Sequence, residues 1–258
     1  NVRLLELLLA KGASVASSDL LKQTPLHRAA KRGNIDAVKL LLERGASSDA
    51  QDRVGRTAII AASQSNNRAL LKMLIERGGD VNAKTVGGMT ALHYAAPRSE
   101  SMTRLLINSG AAIDSINSNG NTPLSQLISK NIRRHWPVIK LLIDKGASLE
   151  HRNMQGQTII DQSLSEKHLP LFELLLDHGA DTSQLQLHQL KARPKFVQSL
   201  QLKGIPGNAS EVGPGNFNLL ALSGDTDLAT DSNKNNNNAS ANELRTNFAG
   251  GYNQCFLQ

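Results

Sequence analysis

Two residue types recur along this chain in lockstep. Glycines that follow leucine-rich runs stand at Gly12, Gly45, Gly78, Gly110, Gly146 and Gly179, at intervals of 33, 33, 32, 36 and 33 residues. Threonines at Thr24, Thr57, Thr90, Thr122 and Thr158 keep the same intervals of 33, 33, 32 and 36. Two series that slip together mark a structural unit of fixed internal geometry, and a period in this range signals a stacked repeat architecture. Composition agrees. Aromatic residues make up only 3% of the 258, so a core of this size rests on Leu, Ile and Ala, which suits closely packed helices.

One unit, Thr24 to Ala46, predicts its own local structure. Thr24 suits a helix N-cap and Pro25 the first turn, where no N–H is needed. Leu26, Ala29 and Ala30 give an apolar face at helical spacing, and the alanines allow close approach of a second helix. Gly33-Asn34 breaks the helix. Ile35, Val38, Leu41 and Leu42 form the next apolar face, which Gly45 ends. A polar stretch from Ser47 to Arg56 follows, with Gly55 as its turn residue. The unit is helix, turn, helix, extended loop, and it buries its faces only by stacking on neighbours.

The words Thr24-Pro25-Leu26-His27, Ala29-Ala30 and Leu40-Leu41-Leu42-Glu43-Arg44-Gly45-Ala46 resemble the ankyrin repeat. So do Thr90 to Ala96 and Gly78 to Lys84. The resemblance covers residues 1–183. It implies an all-α solenoid of six helix-turn-helix units, the first truncated, joined by extended hairpin-like loops. Ile60, Ser125 and Asp161 stand where the family prefers His, and Lys22 where it prefers Gly. His27 and His93 occupy the family's His position, which implies a structural bond to the neighbouring loop backbone.

The repeat pattern stops after Asp181. Residues 184–202 keep some apolar spacing, at Leu185, Leu187, Leu190, Phe196, Val197 and Leu200, with Pro194 placed to start a helix. They are expected to form a degenerate C-terminal cap. Residues 203–258 turn to Gly, Asn and Ser, including the run Asn235 to Asn238, and such a composition predicts disorder. Within it, Phe217 to Leu222 is either a docking motif or an apolar stretch of linker. The chain opens at Asn1 inside the second helix of a unit, so further repeats or domains are expected upstream.

Several function classes find no support. No apolar run is long enough to span a bilayer. One cysteine gives no disulfide framework and no Cys-based zinc site, which fits the cytoplasm or nucleus. No nucleophile elbow or phosphate cradle occurs, since Gly87-Gly88 is a repeat turn. The remaining histidines (His135, His151, His168, His178 and His188) form no metal-ligand pair with a third ligand. Catalysis, a cofactor and a metal are therefore not expected. The tail holds three basic residues (Lys203, Lys234, Arg245) against five acidic ones (Glu211, Asp225, Asp227, Asp231, Glu243), so residues 1–202 carry +9 against +7 for the chain. A basic surface favours acidic partners or is an ordinary solvated face. Nucleic acid is disfavoured, because the cations are not interleaved with aromatics that stack bases.

The family resemblance implies a non-catalytic scaffold or adaptor that binds a protein through a concave face. Carried over by motif position, its contact residues are Arg53, Val54 and Arg56, then Lys84, Val86 and Met89. The next loops supply Ser118, Asn119 and Asn121, then Arg152, Met154 and Gln157. The first helices supply Lys31, Arg32, Gln64, Arg98 and Lys130. The interval of 36 adds three residues within Lys130 to Pro137, expected to lengthen the link between two helices of one unit. There Trp136 beside Arg133 is either a partner anchor or packing against the next helix pair. Asp80-Val81-Asn82, with Leu74 eight residues earlier, resembles a site of asparagine hydroxylation in ankyrin repeats, although Asn82 also reads as a plain turn residue. The ending Cys255-Phe256-Leu257-Gln258 has the C-a-a-X form of a prenylation site. A lipid there would make a membrane-tethered regulator, though one lipid binds only reversibly. A third reading is substrate recruitment for an enzyme domain upstream. The repeats are expected to act as a monomer.

Overall fold

The structure, a computed structural model, describes residues 2–128, 132–165, 168–183, 185, 190 and 193–204. Lys130, most of the expected cap loop, and everything from residue 205 onward lie outside the described residues, so almost all of the tail that composition predicts to be disordered, Phe217 to Leu222 and Cys255 among it, does as well.

Regular structure among the described residues is helical. The helices are α1 (Val2–Ala10), α2 (Pro25–Arg32), α3 (Ile35–Glu43), α4 (Ala58–Gln64), α5 (Arg68–Glu76), α6 (Ala91–Ala95), α7 (Glu100–Asn108), α8 (Pro123–Ile128), α9 (Ile132–Asp144), α10 (Ile159–Ser165), α11 (Leu169–Asp177) and α12 (Pro194–Leu202). Each unit pairs a short first helix with a longer second one. First helices stack on first helices: α2 on α4, α4 on α6, α6 on α8 and α8 on α10. Their contact faces carry the small and branched residues Ala30, Ile59, Ala62, Leu92 and Ala95, all fully buried. Second helices contribute Leu41, Leu70, Leu74 and Leu106 to the same continuous core. No single unit encloses these side chains, so stacking supplies most of the burial that stabilises each one.

Caps fix where the second helices start. Asn34, Asn67, Ser99 and His168 each turn a side-chain acceptor onto the N–H three residues on, at 3.0, 3.0, 3.3 and 3.1 Å. This satisfies one of the donors that every helix start leaves unpaired.

The first helices use a different device, and it explains the positions that depart from the family pattern. At His27 and His93 the ring Nδ1 accepts from the backbone N–H of Thr24 and Thr90, 3.2 Å away in both cases. The Ser125 hydroxyl does the same for Thr122 at 2.9 Å, and an Asp161 carboxylate oxygen for Thr158 at 2.9 Å. Ile60 has no acceptor to offer, and the Thr57 hydroxyl is buried without a hydrogen-bond partner. Removing such a group is favourable. Thr57→Val is therefore expected to stabilise the fold by about 1 kcal/mol. Thr90→Val, which removes a hydroxyl 2.9 Å from His93 Nδ1, is expected to destabilise it by about 1 kcal/mol. Urea denaturation midpoints of the two variants check the opposite signs.

The three inserted residues correct the expectation drawn from the sequence. The second helix starts no later in this unit: α8 begins at Pro123 and α9 at Ile132, the same offset as from α6 (Ala91) to α7 (Glu100). Instead α9 runs 13 residues where α3, α5, α7 and α11 run 9. Counted back from Gly146, Trp136 takes the first-turn place of Ile35 and Leu169, and Pro137 the place of Pro170. The extra turn, Ile132 to His135, is added in front of them. A proline at the start of an ordinary second helix is well tolerated; the added turn makes it an interior residue, where it can donate no helical hydrogen bond.

After the last repeat, α12 packs against α11. Phe196 meets Phe172 edge-on with ring centroids 5.0 Å apart, a favoured aromatic geometry. Ser199 donates to Glu173 at 2.9 Å, and Lys203 pairs with Asp177.

Candidate functional site: the loop face

The loops between units are built on one plan. In each, the residue five before the helix-capping Thr folds its side chain back over its own turn. Asp52 accepts from the Val54 and Arg56 N–H groups at 3.0 and 2.9 Å. Asp19, Asn117 and Asn153 repeat this two-bond clasp. Thr85 accepts from Met89 at 3.0 Å. The main chain of each loop also closes on itself, as in Asp52 N–H to Arg56 C=O and Thr85 N–H to Met89 C=O, both 3.0 Å.

Neighbouring loops are then zipped together. Arg53 N–H donates to Leu21 C=O, Val86 N–H to Val54 C=O and Ser118 N–H to Gly87 C=O, at 2.8 to 2.9 Å. The histidines add a second tie one layer below. His27 Nε2 donates to Arg56 C=O at 2.7 Å and His93 Nε2 to Asn121 C=O at 3.1 Å. Because each Nδ1 is an acceptor, each Nε2 carries the proton, so the neutral tautomer is fixed by geometry. His151 Nε2 lies 2.8 Å from Gly120 C=O in the same manner. The tip of each loop is a β-turn opened by the clasp residue: Gly55 N–H donates to Asp52 C=O at 2.9 Å and Gly88 N–H to Thr85 C=O at 2.8 Å, which puts Arg53 and Val86 at outward central places of their turns. The clasp residues Asp52, Thr85 and Asn117 are buried, and those on either side of them are exposed.

The residues expected to touch a partner separate accordingly. Arg53, Val54, Lys84, Val86, Ser118, Asn119, Arg152 and Met154 are exposed, as are Lys31, Arg32 and Arg98 at the ends of first helices. Arg56 is not an outward group: its guanidinium bonds the buried Asp52 carboxylate at 2.8 Å. Met89 is half-buried, with Asn117 Nδ2 3.2 Å from its sulfur. Asn121 and Gln157 are half-buried loop-closing residues, and Gln64 is half-buried. Arg98 and Arg152 each donate to a nearby carbonyl at 2.8 Å. Trp136 is half-buried against His168, ring centroids 5.6 Å apart, while Arg133 stays exposed. Asn82 bridges two units, donating to Gly110 C=O at 3.1 Å and accepting from Ala112 N–H at 2.7 Å. Leu20 and Leu21, both exposed, were not singled out from the sequence. Leu20 is the loop-position equivalent of Arg53 and Val86, so alignment of the five loops on their clasp residues reveals it.

Electrostatics reinforce the clasp. Burial alone would raise the Asp52 carboxyl; the bonds from the Arg56 N–H and guanidinium and from the Val54 N–H outweigh it and hold it below the usual carboxylate range. Burial pushes the His93 imidazole below its ordinary value near 6.5, assisted by the Lys84 charge and opposed by the bond to Asn121. His168 shifts down too, through burial and then Arg133, against a backbone bond that raises it. A histidine depressed in the folded state takes up its proton more readily unfolded, so its stability contribution is full above the unfolded value and is lost as pH falls through it. Stability is expected to decline as pH drops below about 6.5, with a further loss below the carboxylate range as Asp52 protonates. Urea midpoints across this range check the sign. His93→Gln, which keeps an acceptor and a donor without titrating, is expected to flatten the first decline.

Among the described residues no group of three His, Cys, Asp or Glu is disposed to hold a metal ion. No described helix is long and apolar enough to cross a membrane. A family model described as ankyrin repeats (3 copies) matches the chain over residues 1–85, 83–153 and 100–185. Comparison with curated proteins finds no match.

Proposed function

Because this chain belongs to the ankyrin-repeat family, we propose that it is a scaffold or adaptor whose loop-and-first-helix face holds a protein partner without catalysing a reaction. Ankyrin repeats mediate protein–protein interaction as a rule and are typically non-catalytic modules. The observation that carries the reading is the zipped loop row. Backbone bonds from loop to loop fix the main chain that carries a set of outward side chains, so little backbone entropy is lost when a partner settles on them. The +9 charge of residues 1–202 favours an acidic partner and speeds its approach. The repeats act as a monomer, in the cytoplasm or nucleus.

The test is affinity capture with the full chain and two variants. One carries Lys31→Ser, Arg53→Ser, Lys84→Ser and Arg98→Ser on the proposed face. The other carries Lys39→Ser, Lys72→Ser and Arg104→Ser on second helices. Proteins kept by the parent and the second variant but lost from the first support the reading. The same proteins kept by all three contradict it.

A further inference from the structure

The geometry points to an extended peptide segment, carrying both carboxylates and apolar side chains, as the element this chain reads across its loop row. The inference rests on the protein-binding reading above and names the chemistry of what binds.

Three observations lead to it. First, the outward positions of the loops contain four large apolar side chains held in water: Leu20 is 96% exposed, Val86 82%, Met154 72% and Ile116 47%. Leu20, Val86 and Met154 each directly follow the clasp residue of their loop, and Ile116 directly precedes that of the fourth, so they line the loop edge of the stack rather than scatter as single residues. Second, cations interrupt that row. Arg53 and Lys84 stand on adjacent loops, and neither has a side-chain hydrogen bond or ion pair among the described residues. Arg152 follows two loops on. Third, carboxylates are kept off this surface. In residues 18–22, 51–55, 84–88, 116–120 and 152–156 the acidic residues are Asp19 and Asp52. Both are turned onto their own loop N–H groups and onto Arg28 and Arg56. The surface therefore offers positive charge at Arg53 and Lys84 with no bonded carboxylate, a further cation at Arg152 that bonds Gly156 C=O and whose charge reaches Asp181, and exposed apolar groups between them.

An extended segment matches this layout because the groups flank the clasp residues of successive loops that are bonded edge to edge, and side chains on one side of an extended chain recur at regular intervals. Carboxylates of the segment face Arg53, Lys84 and Arg152. Its apolar side chains cover Leu20, Val86, Ile116 and Met154. Charge fixes the register and rejects basic segments, while apolar contact supplies affinity.

A display library of short random peptides, selected on the full chain, tests this. Enriched peptides are expected to combine Asp or Glu with aliphatic or aromatic residues. Their affinity is expected to fall about tenfold or more in Arg53→Glu/Lys84→Glu and also in Leu20→Ser/Val86→Ser, all surface changes. The charge-reversed chain, selected afresh, should take apolar peptides bearing Lys or Arg. No enrichment, or enriched peptides indifferent to both loop pairs, overturns the inference. If Lys31→Ser/Arg32→Ser alone abolishes binding, the loop-row inference fails and the protein-binding face stands. If neither set matters, both fail. Phosphatidylserine vesicles bound by the parent and released by Arg53→Glu/Lys84→Glu, with no peptide enriched, would assign the row to a membrane surface and also overturn it.

Discussion

Phe172→Ala is expected to lower stability by about 3–5 kcal/mol. Phe172 is the largest side chain in the structure with no exposed surface, and it sits on α11 where α12 covers the repeat stack. Truncation removes its transfer energy and leaves a cavity that the surrounding helices fill only in part. It also removes the edge-on contact with Phe196, one of the main ties holding α12. Stacked repeats couple chiefly to their neighbours, so the loss should not spread evenly. Hydrogen exchange is expected to rise most in α10, α11 and α12, while α2 to α6 stay close to their parental protection. Uniform loss of protection would show a stack more cooperative than its contacts imply.

Gly88→Ala is expected to cost about 2–3 kcal/mol. Its φ of +69° is unfavourable for a residue with a Cβ. That alone is not prohibitive, because Lys22 takes the matching place in the first loop at φ +56°. The neighbouring loop decides the magnitude. A Cβ on Gly88 would stand 3.0 Å from Asn117 Cα and 3.2 Å from Ile116 C=O and Ser118 N, all main-chain atoms that cannot rotate away. Relief requires the two loops to part, which strains the Ser118 N–H to Gly87 C=O bond. Thermal or urea denaturation gives the cost. Faster exchange of the Ser118 amide would locate it at the zip, and an unchanged Ser118 amide would show that the loops separate elsewhere.

Much of the repeat was legible because its signals are local. The glycines and threonines mark helix ends, and the apolar spacing between them marks helix faces. Each depends only on residues a few places away. The properties that arise between units were harder to see. Arg56 reads as an outward cation until the buried Asp52 is found beside it. The clasp residues Asp19, Asp52, Thr85, Asn117 and Asn153 recur five places before each capping Thr, but their role appears only once each loop is seen closing on its own N–H groups. Leu20 looks like an ordinary apolar residue in a loop; its exposure follows from its place at the tip of the turn that Lys22 N–H closes on Asp19 C=O. The insertion at Lys130 to Pro137 reads as a longer link because three added residues alone do not say which element takes them up. Pro137 argues for a break in the helix, yet a proline near the start of the ordinary second helix lets an extra turn be added in front of it.

Partners are expected on the loop row and not on the second helices. Installing a photo-crosslinking amino acid separately at Val86 and at Lys72, both exposed, measures this directly. Lys72 lies on α5, a second helix. Protein adducts are expected from the Val86 position, diminished by Arg53→Glu/Lys84→Glu, and few from Lys72. Adducts arising equally from both positions, or chiefly from Lys72, would show that partners are not held by the loop row.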